Sequence, residues 1–158
     1  MKSSISVRRS NAEDAAAVFR LMSTSVQNLT PKPYSKAVID SWMHGVEVNS
    51  YHNVCSEGKI WIAEVGKAAV GFAQGIPGEI KYLFVDVTHA GRGIGHSLME
   101  HAWRDARNGP QAKIEILALL NAVPFYEKWG FRGVERTTLP DRGEGLPSIE
   151  IFKMEKEL

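Results

Sequence analysis

Apolar residues return along this chain with two different periods, and each change of period marks a new element. "SISVRR" (4–9) alternates apolar with small or polar positions, which predicts a strand ending where Ser10 or Asn11 can cap a helix. Ala15, Val18, Phe19 and Met22 then recur at helical spacing, with Glu13 and Asp14 in the positive first turn, so a helix is predicted from Ala12 to Val26. "LTPKPY" breaks it, and Val38, Ile39, Trp42 and Met43 share one face of a second helix running from Ser35 until Gly45. From "KIWIAEV" the period becomes that of strands: Ile60 to Val65, a turn at Gly66-Lys67, "AVGFAQGI" as its hairpin partner, then "EIKYLFVDV". Ile94, Leu98, Met99, Ala102 and Ala106 mark a long helix that ends near Asn108-Gly109-Pro110. "AKIEILAL" predicts another strand, "VPFYEKW" a short helix, and "FRGVERT" and "SIEIFKME" two closing strands. Between these last two, "LPDRGEGLP" reads as a mobile loop. With no repeat or linker, 1–158 is expected to form a single α/β domain.

Composition narrows the partners. Lys and Arg number 19 against 18 Asp and Glu, a balance that argues against nucleic acid or a membrane surface held by bulk charge. The start "MKSSISVRRS" lacks the apolar core of a signal peptide, and no run approaches the roughly eighteen apolar residues of a membrane span. Cys55 is the only cysteine, which excludes an intrachain disulfide and fits a reducing, cytoplasmic setting. No activating base stands near it, so it reads as a small buried hydrophobe.

One stretch resists a purely structural reading. In "VTHAGRGIGHSLM" (87–99), Gly91, Gly93 and Gly95 occupy alternate positions directly before a helix. So much backbone freedom weakens any regular element, whereas strand, glycine loop and helix start together expose unpaired backbone N–H groups at a positive helix end. Such an end suits phosphate oxygens. A P-loop requires Gly-x-x-x-x-Gly-Lys-Ser/Thr, which is absent, and the dinucleotide fingerprint requires a glycine where His96 stands. A turn that only packs the helix closely on its strand is the plain structural alternative.

The stretch "LFVDVTHAGRGIGHSLM" resembles the acetyl-CoA loop of the GNAT superfamily of N-acetyltransferases, Arg/Gln-x-x-Gly-x-Gly/Ala after a strand. Gly93 and Gly95 match its two glycines, and Gly91-Arg92 the frequent glycine-basic pair before them. Ala90 stands where the family usually has Arg or Gln; the backbone amides of Arg92 to His96, Gly93, Ile94 and Gly95 included, are unaffected. "NAVPFYEKWGF" (121–131) resembles the family's second signature through Ala122, Phe125, Tyr126, Gly130 and Phe131. Leu119 occupies the place of a frequent asparagine, with Asn121 the nearby substitute. The resemblance covers nearly the whole chain, element by element. It implies a GNAT acyltransferase fold: a central, mostly antiparallel sheet of six to seven strands with flanking helices and a bulge that splays two strands apart. That bulge would be centred on Leu83, Phe84 and Val85, letting the pantetheine arm pair with a strand edge and the Val85 amide meet the thioester carbonyl.

What the resemblance implies for chemistry is transfer of acetyl from acetyl-CoA, as co-substrate and with no metal, directly to a primary amine of a small molecule or peptide. Such a reaction needs a deprotonated amine, a polarised carbonyl and a proton donor for the leaving thiolate. Tyr126 matches the donor, since a phenol with a pKa of about 10 keeps its proton at neutral pH. Glu79 is the candidate base, and reads equally as a solvated residue after the Pro77-Gly78 turn. The family builds its acceptor pocket from segments matching 28–52 and 139–147. Tyr34, Trp42, Tyr51 and His52 are candidates to line it, with ordinary core packing the better reading for Trp42. Asp141 and Glu144 would attract a cationic amine, offset by Arg142. Two rival readings remain: a non-catalytic acyl-CoA-binding sensor or interaction module on the same fold, and a structural domain that binds no coenzyme. Family members often pair through their late strands, so the resemblance allows a homodimer.

Overall fold

The computed structural model describes residues 4–30, 32–140 and 142–158. The first strand, β1 (Ile5–Arg9), ends at a cap: the Asn11 side chain accepts the Glu13 amide, and the Asp14 carboxylate accepts the Asn11 amide at 2.8 Å. This reciprocal box makes the first turn, Ala12–Asp14, a 3-10 turn, so α1 (Ala15–Gln27) starts three residues later than its periodicity predicts. Asp14 also receives a two-pronged bond from Arg8 at 2.8 Å, which holds its carboxyl below the ordinary carboxylate range. Ser35 caps α2 (Lys36–Trp42) as expected, its hydroxyl accepting the Val38 amide. A 3-10 turn at Val48–Tyr51 and α3 (His52–Ser56) follow, both too short to leave a period in the sequence.

The remaining elements are β2 (Trp61–Val65), β3 (Ala68–Ile76), β4 (Glu79–Val85), α4 (Ile94–Ala106), β5 (Lys113–Leu119), α5 (Val123–Lys128), β6 (Arg132–Thr138) and β7 (Glu150–Glu157). Val87–His89 forms a 3-10 turn where a continuing strand was expected, because the Asp86 carboxylate accepts the Thr88 amide and turns the chain. The seven strands form one sheet in the order β1-β2-β3-β4-β5-β7-β6. Every pairing is antiparallel except β4 with β5.

That parallel pairing decides where the site is. It holds only at Glu79↔Glu115 and Ile80↔Ile116, after which β4 leaves β5 and stays with β3. Against β3, Ile80 faces Gly75 and Tyr82 faces Gln74, so Lys81 is the extra residue of the bulge. This corrects the expected position. Leu83, Phe84 and Val85 remain in register with Ala73, Phe72 and Gly71. The added twist is needed at the last pair shared with β5, not further along an edge that is already free.

Helices cover both faces. Ile62 and Phe72 pack toward α1 and α3, while their neighbours Ala63 and Ala73 pack toward α4. The α4 backbone lies so close to β3 that a Cβ on Gly75 would stand 2.0 Å from the Ala102 carbonyl oxygen. A third apolar cluster joins Val26, Leu29, Tyr34, Ile39 and Trp42 to Ile149 and Ile151, tying the α1–α2 segment to the start of β7. Cys55 is fully buried and its thiol is pushed up to about 11 by burial, in keeping with an inert core residue. Among the described residues no helix is long and apolar enough to cross a membrane.

Candidate active site

Where β4 and β5 part, a cleft of about 370 Å³ opens between them. Leu83 and Val85 form one wall, Leu117 and Leu119 the other, and Asn121 and Tyr126 close one end. The β4 edge facing the cleft carries free backbone groups. Asp86 donates its amide to the Val70 carbonyl of β3, and amides alternate in direction along a strand, so those of Val85 and Leu83 point to the cleft.

At one end of the cleft stands the glycine loop. Gly91 and Gly93 have φ of 78° and 80°, in the left-handed region, and Gly93 is the N-cap of α4 without any side-chain cap. Nothing lies within 4 Å of a Cβ built on either, so backbone conformation rather than crowding calls for glycine there. The first helical bond runs from the Ser97 amide to the Gly93 carbonyl, which leaves the amides of Ile94, Gly95 and His96 without a helical acceptor. Gly95 is different, since its Cβ would meet the Phe125 ring at an ordinary 3.5 Å.

Side chains of this region divide by direction. Ile94 is buried in the core, and Arg92 is exposed. The His96 ring pairs with Glu100 at 2.8 Å and lies 5.0 Å from the Trp129 ring, so only its backbone belongs to the loop. Phe84 lines the cleft while stacking on Phe72 at 5.4 Å. Asn121 lies in the 3-10 turn Leu120–Ala122, exposed and on the cleft wall.

Tyr126 sits midway along α5, whose turn ends as the Tyr126 carbonyl accepts the Trp129 and Phe131 amides. The ring is 5% exposed, edge-on to Phe125 at 5.4 Å and to Phe131 at 6.1 Å, and borders the cleft. Burial alone drives its hydroxyl well above the ordinary phenol range. Glu79 opens β4 just outside the cleft lining. Burial raises its carboxyl, Lys81 partly opposes that shift, and its charge in turn helps raise the Tyr82 phenol on the cleft wall.

The far end is walled by Met22, Leu29, Trp42 and Leu139, with Ser25 and Asn28 as neutral polar groups. Of the four expected acceptor-pocket residues, only Trp42 reaches this wall. Tyr34 stands behind it, edge-on to Trp42 at 5.2 Å; its hydroxyl donates to the Glu150 carbonyl at 2.7 Å and accepts the Leu120 amide at 3.1 Å. It thus clasps the ends of β5 and β7. Tyr51 packs in the separate cluster under α1, where burial pushes its hydroxyl up to about 12, and His52 is exposed at the start of α3. Glu144 is exposed and off the cleft, and Asp141 lies outside the described residues. The loop expected to be mobile is tied down by Arg142, which donates to the Ser41 carbonyl at 2.9 Å and to the Pro147 carbonyl.

Sequence reasoning named the segments that hold Leu29 and Leu139 without singling out either residue, and it missed Met22 and Lys81. Helical period identifies Met22 as apolar-face but cannot say what that face meets, and Leu139 sits in a loop with no period at all. Among the described residues no group of three or more His, Cys, Asp or Glu is placed to hold a metal ion.

Known proteins share this fold. The profile of the acetyltransferase (GNAT) domain matches residues 30–158. The chain is similar to YafP of Escherichia coli K12, an uncharacterized N-acetyltransferase, with 23% identity over 139 residues, 88% of this chain and 89% of that protein. The crystal structure of a GCN5-related N-acetyltransferase from Rhodopseudomonas palustris superposes with a TM-score of 0.86 and 26% identity, covering 100% of this chain and 98% of that one. PaiA N-acetyltransferase of Thermoplasma acidophilum, solved in complex with coenzyme A, shares the fold at a TM-score of 0.74 and 20% identity, covering 98% and 99% of the two chains. With a glycine-capped helix facing a split in the sheet, and a domain profile spanning most of its length, the chain belongs to the GNAT acetyltransferase family.

Proposed function

We propose that this protein transfers an acetyl group from acetyl-CoA directly to a primary amine of a small molecule or peptide. The observation that carries the reading is the parting of β4 from β5 directly beside a helix start whose amides are free, with a buried tyrosine between them. The residues present fit the coenzyme. The open space over Gly91 and Gly93 and the free amides of Ile94, Gly95 and His96 suit a pyrophosphate, and the outward amides of Leu83 and Val85 suit an extended amide-bearing arm. When bound, acetyl-CoA supplies the activated acyl group.

Each protein group then has one task. The Val85 amide is a donor for the thioester carbonyl oxygen, where negative charge develops as the amine attacks. Tyr126, kept protonated by burial, holds a proton for the departing sulfur. Glu79, six strand residues before Val85, receives the proton of the attacking amine through intervening water rather than directly, and its raised carboxyl is the stronger base for it. Apolar walls on both strands keep bulk water away.

Calorimetry with acetyl-CoA, beside a Gly93→Asp variant, tests the reading. Wild-type protein is expected to bind in the micromolar range. The variant places a negative charge at the phosphate site and strains the left-handed backbone by about 1–3 kcal/mol, so it should lose binding while still melting cooperatively. A folded wild-type protein that binds no acetyl-CoA would overturn the proposal, as would binding without release of coenzyme A for any amine.

A further inference from the structure

Among the described residues that line the acceptor end of the cleft, charges are scarce, and the one present is positive. Its walls are Met22, Leu29, Trp42 and Leu139, with Ser25, Asn28 and Tyr82 as uncharged polar groups. Among the described residues that line it, Lys81 is the one ionic side chain. Lys81 is the bulge residue of β4, exposed, with its ammonium 5.8 Å from the centre of the Tyr82 ring. It stands on the ridge between this cleft and a second groove at the ends of β1, β2 and β3. In that groove the cations are already engaged: Arg9 pairs with Asp105 at 2.7 Å and Lys59 with Glu57 at 2.7 Å. Lys81 makes no such ion pair among the described residues; its charge partly offsets the upward shift of the Glu79 carboxyl, two positions earlier on the same strand.

A polyamine, an aminoglycoside or a lysine-rich peptide would bring several positive charges to a wall that, among the described residues, offers a cation and no lining carboxylate. Such a wall rejects them by like-charge repulsion and by the lack of any partner for their desolvated ammonium groups. A molecule with an apolar body and opposite charges close together meets complementary groups instead. Its amine points to the parting of β4 from β5, its anion faces Lys81, and its body fills the space between Met22, Leu29, Trp42 and Leu139. Resting on the acetyl-transfer reading, we propose that the acceptor is an α-amino acid, or a peptide-like amine with a carboxylate beside it, carrying a large apolar side chain.

The test is coenzyme A release from the intact protein with L-phenylalanine, L-phenylalaninamide, 2-phenylethylamine and spermidine as acceptors. L-phenylalanine should exceed the amide and the carboxylate-free amine by roughly three- to fivefold in kcat/KM, the size of one exposed charge pair of somewhat under 1 kcal/mol, and spermidine by more. In a Lys81→Met variant, whose stem still covers the wall, that preference should vanish while turnover of 2-phenylethylamine persists. Equal or better turnover of spermidine or of the carboxylate-free amine by wild-type protein would overturn the substrate class but leave acetyl transfer standing. So would a Lys81→Met variant that keeps the preference. Acetyl-CoA binding without turnover of any acceptor would instead remove the transferase reading, and this one with it.

Discussion

On the proposed reading, the coenzyme end of the cleft draws its groups from two short stretches, 83–96 and 119–131, whereas the acceptor end gathers Met22, Leu29, Trp42 and Leu139 from across the chain. The first end presents mainly main chain: free amides at the start of α4 and along the β4 edge, plus the phenol of Tyr126. The second works through side-chain shape and one ammonium group. Groups of the first kind depend on backbone conformation, which glycine positions and strand register control locally. Those of the second kind depend on which distant segments meet. On the proposed reading, chemistry common to the family therefore lies at one end and choice of substrate at the other.

Substitutions that separate the two ends sharpen this contrast. Tyr126→Phe should lower kcat by roughly 10²–10⁴ with acetyl-CoA affinity unchanged, as measured by steady-state rates and calorimetry; an unchanged kcat would return Tyr126 to a packing role. Gly75→Ala tests the scaffold beneath both ends. Its Cβ meets backbone rather than a movable side chain, so a loss of about 3 kcal/mol or more is expected in urea unfolding.

Glu79→Gln is a test at the boundary. A base acts only when ionised, and the folded carboxyl titrates above the ordinary range, so wild-type activity should fall on the acid side at a higher pH than for an exposed glutamate. The variant should lose that acid limb and about a hundredfold in rate; a pH profile identical to wild type would assign Glu79 a structural place. Arg142→Ala should have the smallest effect. By freeing the loop that carries Leu139 it should raise KM for the acceptor about three- to fivefold, equivalent to somewhat under 1 kcal/mol, without touching acetyl-CoA affinity. Equal weakening of both substrates would mean that the two ends are not separable.

Periodicity located every strand, the capped helices and the long α4, because in each the apolar face repeats often enough to be read. Val48–Tyr51 and α3 escaped it, being single turns held by Tyr51 and Cys55 against α1. Lys81 was likewise unreadable as the bulge residue, since an extra residue in one strand is defined only against the register of its partner. Tyr34, Tyr51 and His52 show the same limit from the other side: their types suggested a pocket, and packing sent the first behind its wall, the second into the core and the third to solvent.

The order of elements, the left-handed glycines before α4 and the position of Tyr126 on α5 were determined by the sequence alone, because each rests on contacts within a few residues. Where β4 parts from β5, which side chains wall the far end of the cleft, and that the one charge among its described lining residues is a lysine were decided only by the tertiary structure. Those features arise from the meeting of segments far apart in the chain, and no local preference encodes which of them will meet.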